Sequence, residues 1–402
     1  MRYTMIIDGN HFLFKTLHVL PRSGAQILGT DADVEVYVRK LATDLAYQIR
    51  TVEGLIDEIV WTLDSRSWRK DFYPQADYKG TRKQDSKLNW DNFSRATGEF
   101  KQILASKGVT ISQLPGAEGD DLIYAWNTER LAMGRSTLIL TGDRDLLQLV
   151  GRNESNDAHT IMYSPTHKKL YVPMGHREWA ETEPSGDFFD VIRSSVTAAS
   201  QAKKLIDVFA KRDGSPAIEV DPNRVKFTKV LTGDAGDNVS PAYWYTKTSK
   251  SGTTRTYGVS ENKASQVLDD FVKKHGTLNP MFLHSEEHIA DLARILVRVV
   301  NAKHMGLDQI IGNIKINTSL MVLDSRSIPE EILDAMFSHV ESRMGNMNTQ
   351  LSEMASKSKM LAGTEYLTDG GGMKMSSSVF KGDDDADDMS FITDRKNKGK
   401  VF

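Results

Sequence analysis

No cysteine occurs in the 402 residues. Disulfides, thiolate metal sites and cysteine nucleophiles are therefore excluded. Any metal must be held by oxygen or imidazole, and the abundant carboxylates favour a hard cation, Mg2+ with Mn2+ able to substitute. Long apolar runs are also missing. None approaches the ~20 residues that span a bilayer, and the N-terminus lacks the charged, apolar and small-residue order of a signal peptide, so no membrane and a cytoplasmic location are expected. No serine stands in a Gly-x-Ser-x-Gly elbow, and no Gly-x-x-x-x-Gly-Lys-Ser/Thr loop is present. Nucleophilic hydrolase and nucleoside triphosphatase readings are left without support. His11, His18, His159, His167 and His176 are scattered without ligand spacing and read as surface or core side chains. Neither sign of charge dominates, at a net −3, so the distribution of charge carries the information.

What is there suits a globular chain long enough for two domains with real cores, 39% hydrophobic and 26% charged. Up to about residue 175, strand-like and helix-like patterns alternate, as in a mostly parallel sheet with helices on its faces. Tyr3–Ile7, Ile59–Leu63, Val109–Leu114 and Leu138–Leu140 read as strands. Val34, Val38, Leu41, Leu45 and Ile49 predict a crossover helix, Phe93, Phe100, Ile103 and Leu104 the next, and a further helix opens near Glu118. Leu146 to Val150 predict a helix after the last strand. Tyr243 to Tyr257 reads as an irregular insertion rich in Ser, Thr and Lys. Beyond it, Ala264 to Val272 and Ile289 to Val300 predict helices of a smaller domain. From Asn346 the apolar period fades into glycine, serine and aspartate runs with a basic end, the composition of a disordered tail.

Carboxylates recur where elements end. Asp8 follows Met5-Ile6-Ile7, Asp64 follows Trp61-Thr62-Leu63, and Thr141-Gly142-Asp143-Arg144-Asp145 follows Leu138-Ile139-Leu140. Glu118, Asp120 and Asp121 sit at a helix start, where acidic caps are also favoured. Asp234 and Asp237 stand three apart in a glycine-containing turn. Open parallel sheets bind ligands outside the carboxyl ends of their strands. Gathered there, these nine carboxylates would raise one another's pKa unless cations held them ionised. Two divalent ions ~4 Å apart would do so, and can activate water and neutralise both the attacking and leaving oxygens of a phosphodiester.

From Arg66 to Lys87 there are seven basic residues against three acidic, with four aromatics interleaved. That mixture suits phosphate neutralisation with base stacking. Arg66, Arg69, Lys70, Tyr78, Lys79, Arg82, Lys83 and Lys87 are candidate nucleic-acid contacts, with Lys263 further on.

Read in order, Ile-Ile-Asp-Gly-Asn, Leu-Asp, Tyr-Lys-Gly-Thr-Arg-Lys, Glu-Gly-Asp-Asp, Thr-Gly-Asp-Arg-Asp and Leu-Thr-Gly-Asp-Ala-Gly-Asp-Asn-Val resemble the structure-specific 5′ nucleases, the flap endonucleases and 5′-3′ exonucleases. The resemblance covers residues 3 to about 330. It implies a PIN-like α/β nuclease domain with a mostly parallel central sheet over 1–225, its arch or clamp at 66–90. It then implies a helical domain with a helix-three-turn-helix duplex-binding element over 226–345, ahead of the tail at 346–402. One metal would be held by Asp8, Asp64, Glu118 and Asp120, and a second by Asp143, Asp145, Asp234 and Asp237, with Asp121 supporting. Lys79 and Arg82 would clamp the scissile phosphate beside a catalytic Asp143, and Tyr78 would stack on a base. Most members run from the Asp-x-x-Asp-Asn segment directly into a Gly-Ile-Gly turn that binds potassium; here about twenty residues intervene, and the matching position begins at Tyr257-Gly258-Val259.

That insertion, with Trp-Arg-Lys-Asp-Phe and Ser-Pro-Thr-His-Lys-Lys, is similar to the T-even phage branch of the family. The similarity implies a magnesium-dependent 5′-3′ exonuclease and flap endonuclease with ribonuclease H activity. It would act on branched or nicked DNA·DNA and RNA·DNA and remove primers and flaps in phage DNA replication. A monomer is expected, with single-strand-binding protein or a sliding clamp as partners of the tail. The alternatives are a non-catalytic DNA-structure-binding protein and a phosphohydrolase using Asp8 as nucleophile. The latter chemistry wants Asp-x-Asp, and position 10 is Asn.

Overall fold

The parallel strands place three carboxylates at one edge. In the computed structural model, which describes residues 3–20, 26–52, 56–82, 85–156, 158–167, 169–174 and 217–344, strand β1 (Tyr3–Asp8) pairs in parallel with β2 (Ile56–Thr62) and β4 (Thr137–Leu140). The order across the sheet is β3-β2-β1-β4-β6-β7-β8, with β3 at Thr110–Ser112, β6 at His159–Ser164, β7 at Lys169–Pro173 and β8 at Ile218–Val220. A two-residue β5 (Gly151–Arg152) joins β6 antiparallel, and β7 also runs antiparallel to β6. The other described pairings are parallel.

Side chains alternate across the strands, so each face is buried by a different set. Tyr3, Met5 and Ile7 enter a core with Leu13 of α1 (Gly9–His18), Tyr37 and Leu41 of α2 (Asp31–Val52), and Phe100 of α4 (Trp90–Ser106). The short α3 (Arg69–Phe72) lies between β2 and α4 in the chain. Thr4, on the other face, donates to Glu58, which is paired with Arg130 of α5 (Gly119–Ala132), so α5 covers that side. Ile103, expected in the core from helical spacing, is 39% exposed. It lies on the outer side of α4, one residue before the buried Leu104.

Helices α6 (Pro222–Thr232), α7 (Glu261–His275), α8 (Glu286–Val300) and α9 (Leu307–Met321) close round a second core of Phe227, Leu268, Phe271, Leu292 and Ile314. Helical residues 330–344 follow. Asp221 caps α6 through the amides of Asn223 and Arg224, and Pro222 occupies its first turn, where the missing N–H is no loss. The insertion is not irregular. Trp244–Thr248 (β9) and Thr254–Gly258 (β10) form an antiparallel hairpin.

Residues 144–149 form a 3-10 turn rather than an α-helix, because Asp143 caps it by accepting from Asp145 N at 2.8 Å and the chain returns at once to β5. No helix among the described residues is long and apolar enough to cross a membrane. Lys83, His176 and the tail lie outside the described residues.

Candidate active site

Strand β1 ends on Asp8, which caps α1 by accepting from the His11 amide at 2.9 Å and also accepts the Thr141 hydroxyl at 2.8 Å. A side chain at position 9 would run into the Trp61 indole and Thr62 carbonyl, so the residue after Asp8 must be glycine for β1 and β2 to approach. Beyond β2, Asp64 accepts the Gly119 amide at 2.6 Å, and Asn10 accepts from the Asp64 amide at 3.4 Å. Beyond β4, the Asp143 backbone N–H donates to Thr141 Oγ1 at 3.0 Å. Any Cβ on Gly142 would strike the His11 ring.

The start of α5 lies against this edge, and Asp120 there is repelled by Asp143, Asp8 and Asp64. Burial first, then those charges, push the Asp120 carboxyl well above the usual carboxylate range. Burial also pushes Asp8 up to about 7, opposed by its two hydrogen bonds and reinforced by Asp64 and Asp143. Thus Asp8, Asp64, Asp120 and Asp143 share one electrostatic field.

A second acidic group adjoins the first through Asp143. Burial pushes Asp145 up to about 6, with Lys229 opposing and Asp143 and Asp234 reinforcing. Asp234 closes its turn by accepting from Gly236 N at 2.7 Å and Asp237 N at 3.3 Å. Lys229 of α6 bridges Asp145 and Asp234, reaching the latter at 3.5 Å. An open cleft of about 680 Å³ lies alongside, lined by Arg144, Asp145, Arg224, Lys229 and Asp234 among others. Asp237 accepts Tyr78 Oη at 2.9 Å and pairs with Arg82. Glu118 accepts Tyr78 Oη at 3.0 Å and pairs with Lys79. Among the described residues, no three Asp, Glu or His side chains stand close enough to grip one ion as they are.

Asp121 lies apart from both groups. It is fully buried, and its two oxygens are taken by Trp68 Nε1 at 3.1 Å, Glu118 N at 3.0 Å and the Arg69 guanidinium at 2.8 and 3.0 Å. It anchors Arg69 and closes the capping box of α5.

Residues 3–179 match the family model described as the 5′-3′ exonuclease N-terminal, resolvase-like domain, a span that contains every acidic residue above except Asp234 and Asp237. Over this span, the chain is similar to the N-terminal domain of 5′-3′ exonucleases. The 5′-3′ exonuclease of Aquifex aeolicus is 30% identical over 155 residues, 38% of this chain and 50% of that protein. DNA polymerase I of Mycobacterium tuberculosis is 28% identical over 165 residues, 40% of this chain but 16% of the polymerase. A solved T5 5′-exonuclease aligns over 85% of this chain and 99% of its own at a TM-score of 0.48 and 12% identity.

The basic segment folds down onto the acidic turn rather than standing free. Lys79 N donates to Asp237 O at 2.8 Å, Arg82 Nε to Gly236 O at 3.2 Å, and Asn238 Nδ2 to Asp77 O at 3.0 Å. Two expected nucleic-acid contacts are buried. Arg69 is 2% exposed, bonded to Leu320 O at 2.7 Å and to Glu118 and Asp121; Tyr78 is 6% exposed with its hydroxyl between Glu118 and Asp237. Both are consumed in joining the segment to the site. Arg66, Lys70, Arg82, Lys87 and Lys263 are exposed.

Sequence reasoning missed Lys229. Its signal was a lysine in the apolar run before Asp234, off the face that buries Phe227, Val230 and Leu231. His11, read from the sequence as a surface or core side chain, has its Nε2 buried without a partner, and burial lowers its pKa.

Proposed function

We propose that this chain is a divalent-metal-dependent 5′ nuclease, hydrolysing phosphodiesters of branched or nicked DNA·DNA and RNA·DNA. The observation that carries the reading is the convergence of Asp8, Asp64 and Asp143 at the ends of adjacent parallel strands, with Asp120 added from α5. Carboxylates whose pKa values are raised by one another want cations, and their oxygen donors fit Mg2+ or Mn2+. Asp8, Asp64, Glu118 and Asp120 would hold one ion, and Asp143, Asp145, Asp234 and Asp237 a second. Ions held there would offset the charge that builds on a phosphodiester as it is hydrolysed.

The chain's own residues supply the rest. Lys79 and Arg82, tied to Glu118 and Asp237, would exchange those carboxylates for the scissile phosphate. Lys229 keeps Asp145 and Asp234 neutralised. Thr141 and the His11 amide hold Asp8 in position, so its oxygens are oriented before substrate arrives. Removal of RNA primers and flaps in phage replication is the setting this specificity would suit.

The test is cleavage of end-labelled 5′-flap, nicked duplex and RNA·DNA hybrid, with Mg2+ and with chelator, beside Asp143→Asn. Metal-dependent products from the 5′ end, absent in the variant, establish the nuclease. Binding without turnover under all conditions would make the chain a DNA-structure-binding protein instead.

A further inference from the structure

The hairpin β9–β10 has no part in the chemistry above, yet its construction is specific. Residues 246–258 are exposed without a break. Lys247, Lys250 and Arg255 are its charged residues, with no acid among them. The register sets Lys247 directly opposite Arg255 and Tyr245 opposite Tyr257. Positions two apart on a strand share a face. One face of the ribbon therefore presents a tyrosine pair followed by a cation pair, and the other carries Thr246, Thr248, Thr254 and Thr256.

Like charges directly opposite each other destabilise a sheet, and a lone two-stranded ribbon is marginal in water. Neither Lys247 nor Arg255 has an acidic partner among the described residues. The tyrosines extend a stack: His304 lies on Tyr245 at 4.6 Å between ring centres, and Tyr245 on Tyr257 at 5.3 Å, leaving Tyr257 41% exposed. The root is held firmly. Asn313 Nδ2 donates to Ala242 O at 3.1 Å, and Asn317 Nδ2 to Ser240 O at 2.9 Å, in the segment that follows Asp237.

We propose that this hairpin is a nucleic-acid-binding arm, in which Lys247 and Arg255 take the phosphates of a single strand and Tyr257 stacks against one of its bases. A phosphate between the two cations turns their repulsion into attraction for a shared anion. Cations beside an exposed ring stack are the combination that holds single strands without reading sequence. The inference rests on the reading that the substrate is nucleic acid, and it names a contact away from the carboxylates.

The test uses the full chain in chelator, with a labelled single-stranded oligonucleotide, a blunt duplex and a 5′-flap as probes. Lys247→Ala/Arg255→Ala should weaken binding to the single strand and the flap and lower the slope of log affinity on log salt by about 1.4, for two phosphates at ~0.7 each. Tyr257→Ala should weaken the same two probes about fivefold or more. Lys247→Glu separates binding from folding, since an ion pair with Arg255 stabilises the ribbon while binding falls. Unchanged affinity and salt slope on all three probes would overturn the arm. A loss confined to the blunt duplex would overturn the single-strand assignment. If the wild type binds these probes through the hairpin but cleaves nothing in Mg2+, the nuclease reading fails and the arm stands.

Discussion

Thr141, just past β4, donates its hydroxyl to Asp8 at the end of β1, 2.8 Å away. This bond ties together two of the three strand ends that carry the acidic cluster, and it directs one Asp8 oxygen. Thr141→Val keeps the shape and removes the donor. A loss of about 1 kcal/mol in urea unfolding is expected, with weaker Mg2+ binding followed by calorimetry. Unaltered metal affinity would show that the bond only holds the sheet.

Asp143 lies between the two acidic groups, so its removal affects both. Asp143→Asn is expected to lower single-turnover cleavage at least about a hundredfold, equivalent to ~2.7 kcal/mol of barrier. Flap binding in chelator should persist. Turnover at the wild-type rate would remove Asp143 from the chemistry.

The raised carboxyls set a pH dependence in metal-free protein. Asp8 titrates at about 7 when folded, above the ordinary 3.8, so the stability it contributes is fully present below about pH 4 and lost as pH rises through 7. Asp145, at about 6, acts in the same direction between pH 4 and 6. Asp8→Asn should therefore gain stability relative to wild type from pH 4 to pH 8 in chelator. Divalent ion should raise the wild-type melting temperature more at pH 8 than at pH 5. Parallel melting curves for the two proteins across this range would contradict the shared field.

Lys229 stands between Asp145 and Asp234 with its side chain 13% exposed. Lys229→Met leaves those carboxylates facing each other, and a loss of about 1–2 kcal/mol in chelator is expected, the pair being only partly buried. Added Mn2+ should recover more stability in this variant than in wild type. Equal recovery in both would mean that the lysine and the ion do not compete.

Arg69 is buried and paired with Glu118 and Asp121, so a structural role is expected of it. Arg69→Met strands Asp121 without a counter-charge and is expected to cost about 3 kcal/mol in unfolding free energy. The salt dependence of DNA binding, measured below the lowered melting temperature, should stay as in wild type. A shallower salt slope would return Arg69 to the nucleic-acid surface.

Much of the architecture was legible in the sequence because short apolar runs ending in Asp-Gly or Gly-Asp carry two signals at once. The run marks a buried parallel strand, and the small residue marks where the backbone must come close, as Gly9 does to Trp61 and Gly142 to His11. Helical spacing likewise marked α2, α4, α5 and α7. The hairpin at 244–258 escaped because both of its faces meet solvent, so no apolar alternation betrays it.

Only the tertiary structure decided which charges face which. Composition shows a basic, aromatic segment, but packing against Asp121 and Leu320 buries Arg69, and packing on the turn at 234–238 buries Tyr78 and brings Lys79 to Glu118. The same holds for Lys229, which meets Asp145 from a helix that follows it far along the chain. Periodicity records what a residue buries; it is silent about the partner it meets, because that depends on how distant segments pack.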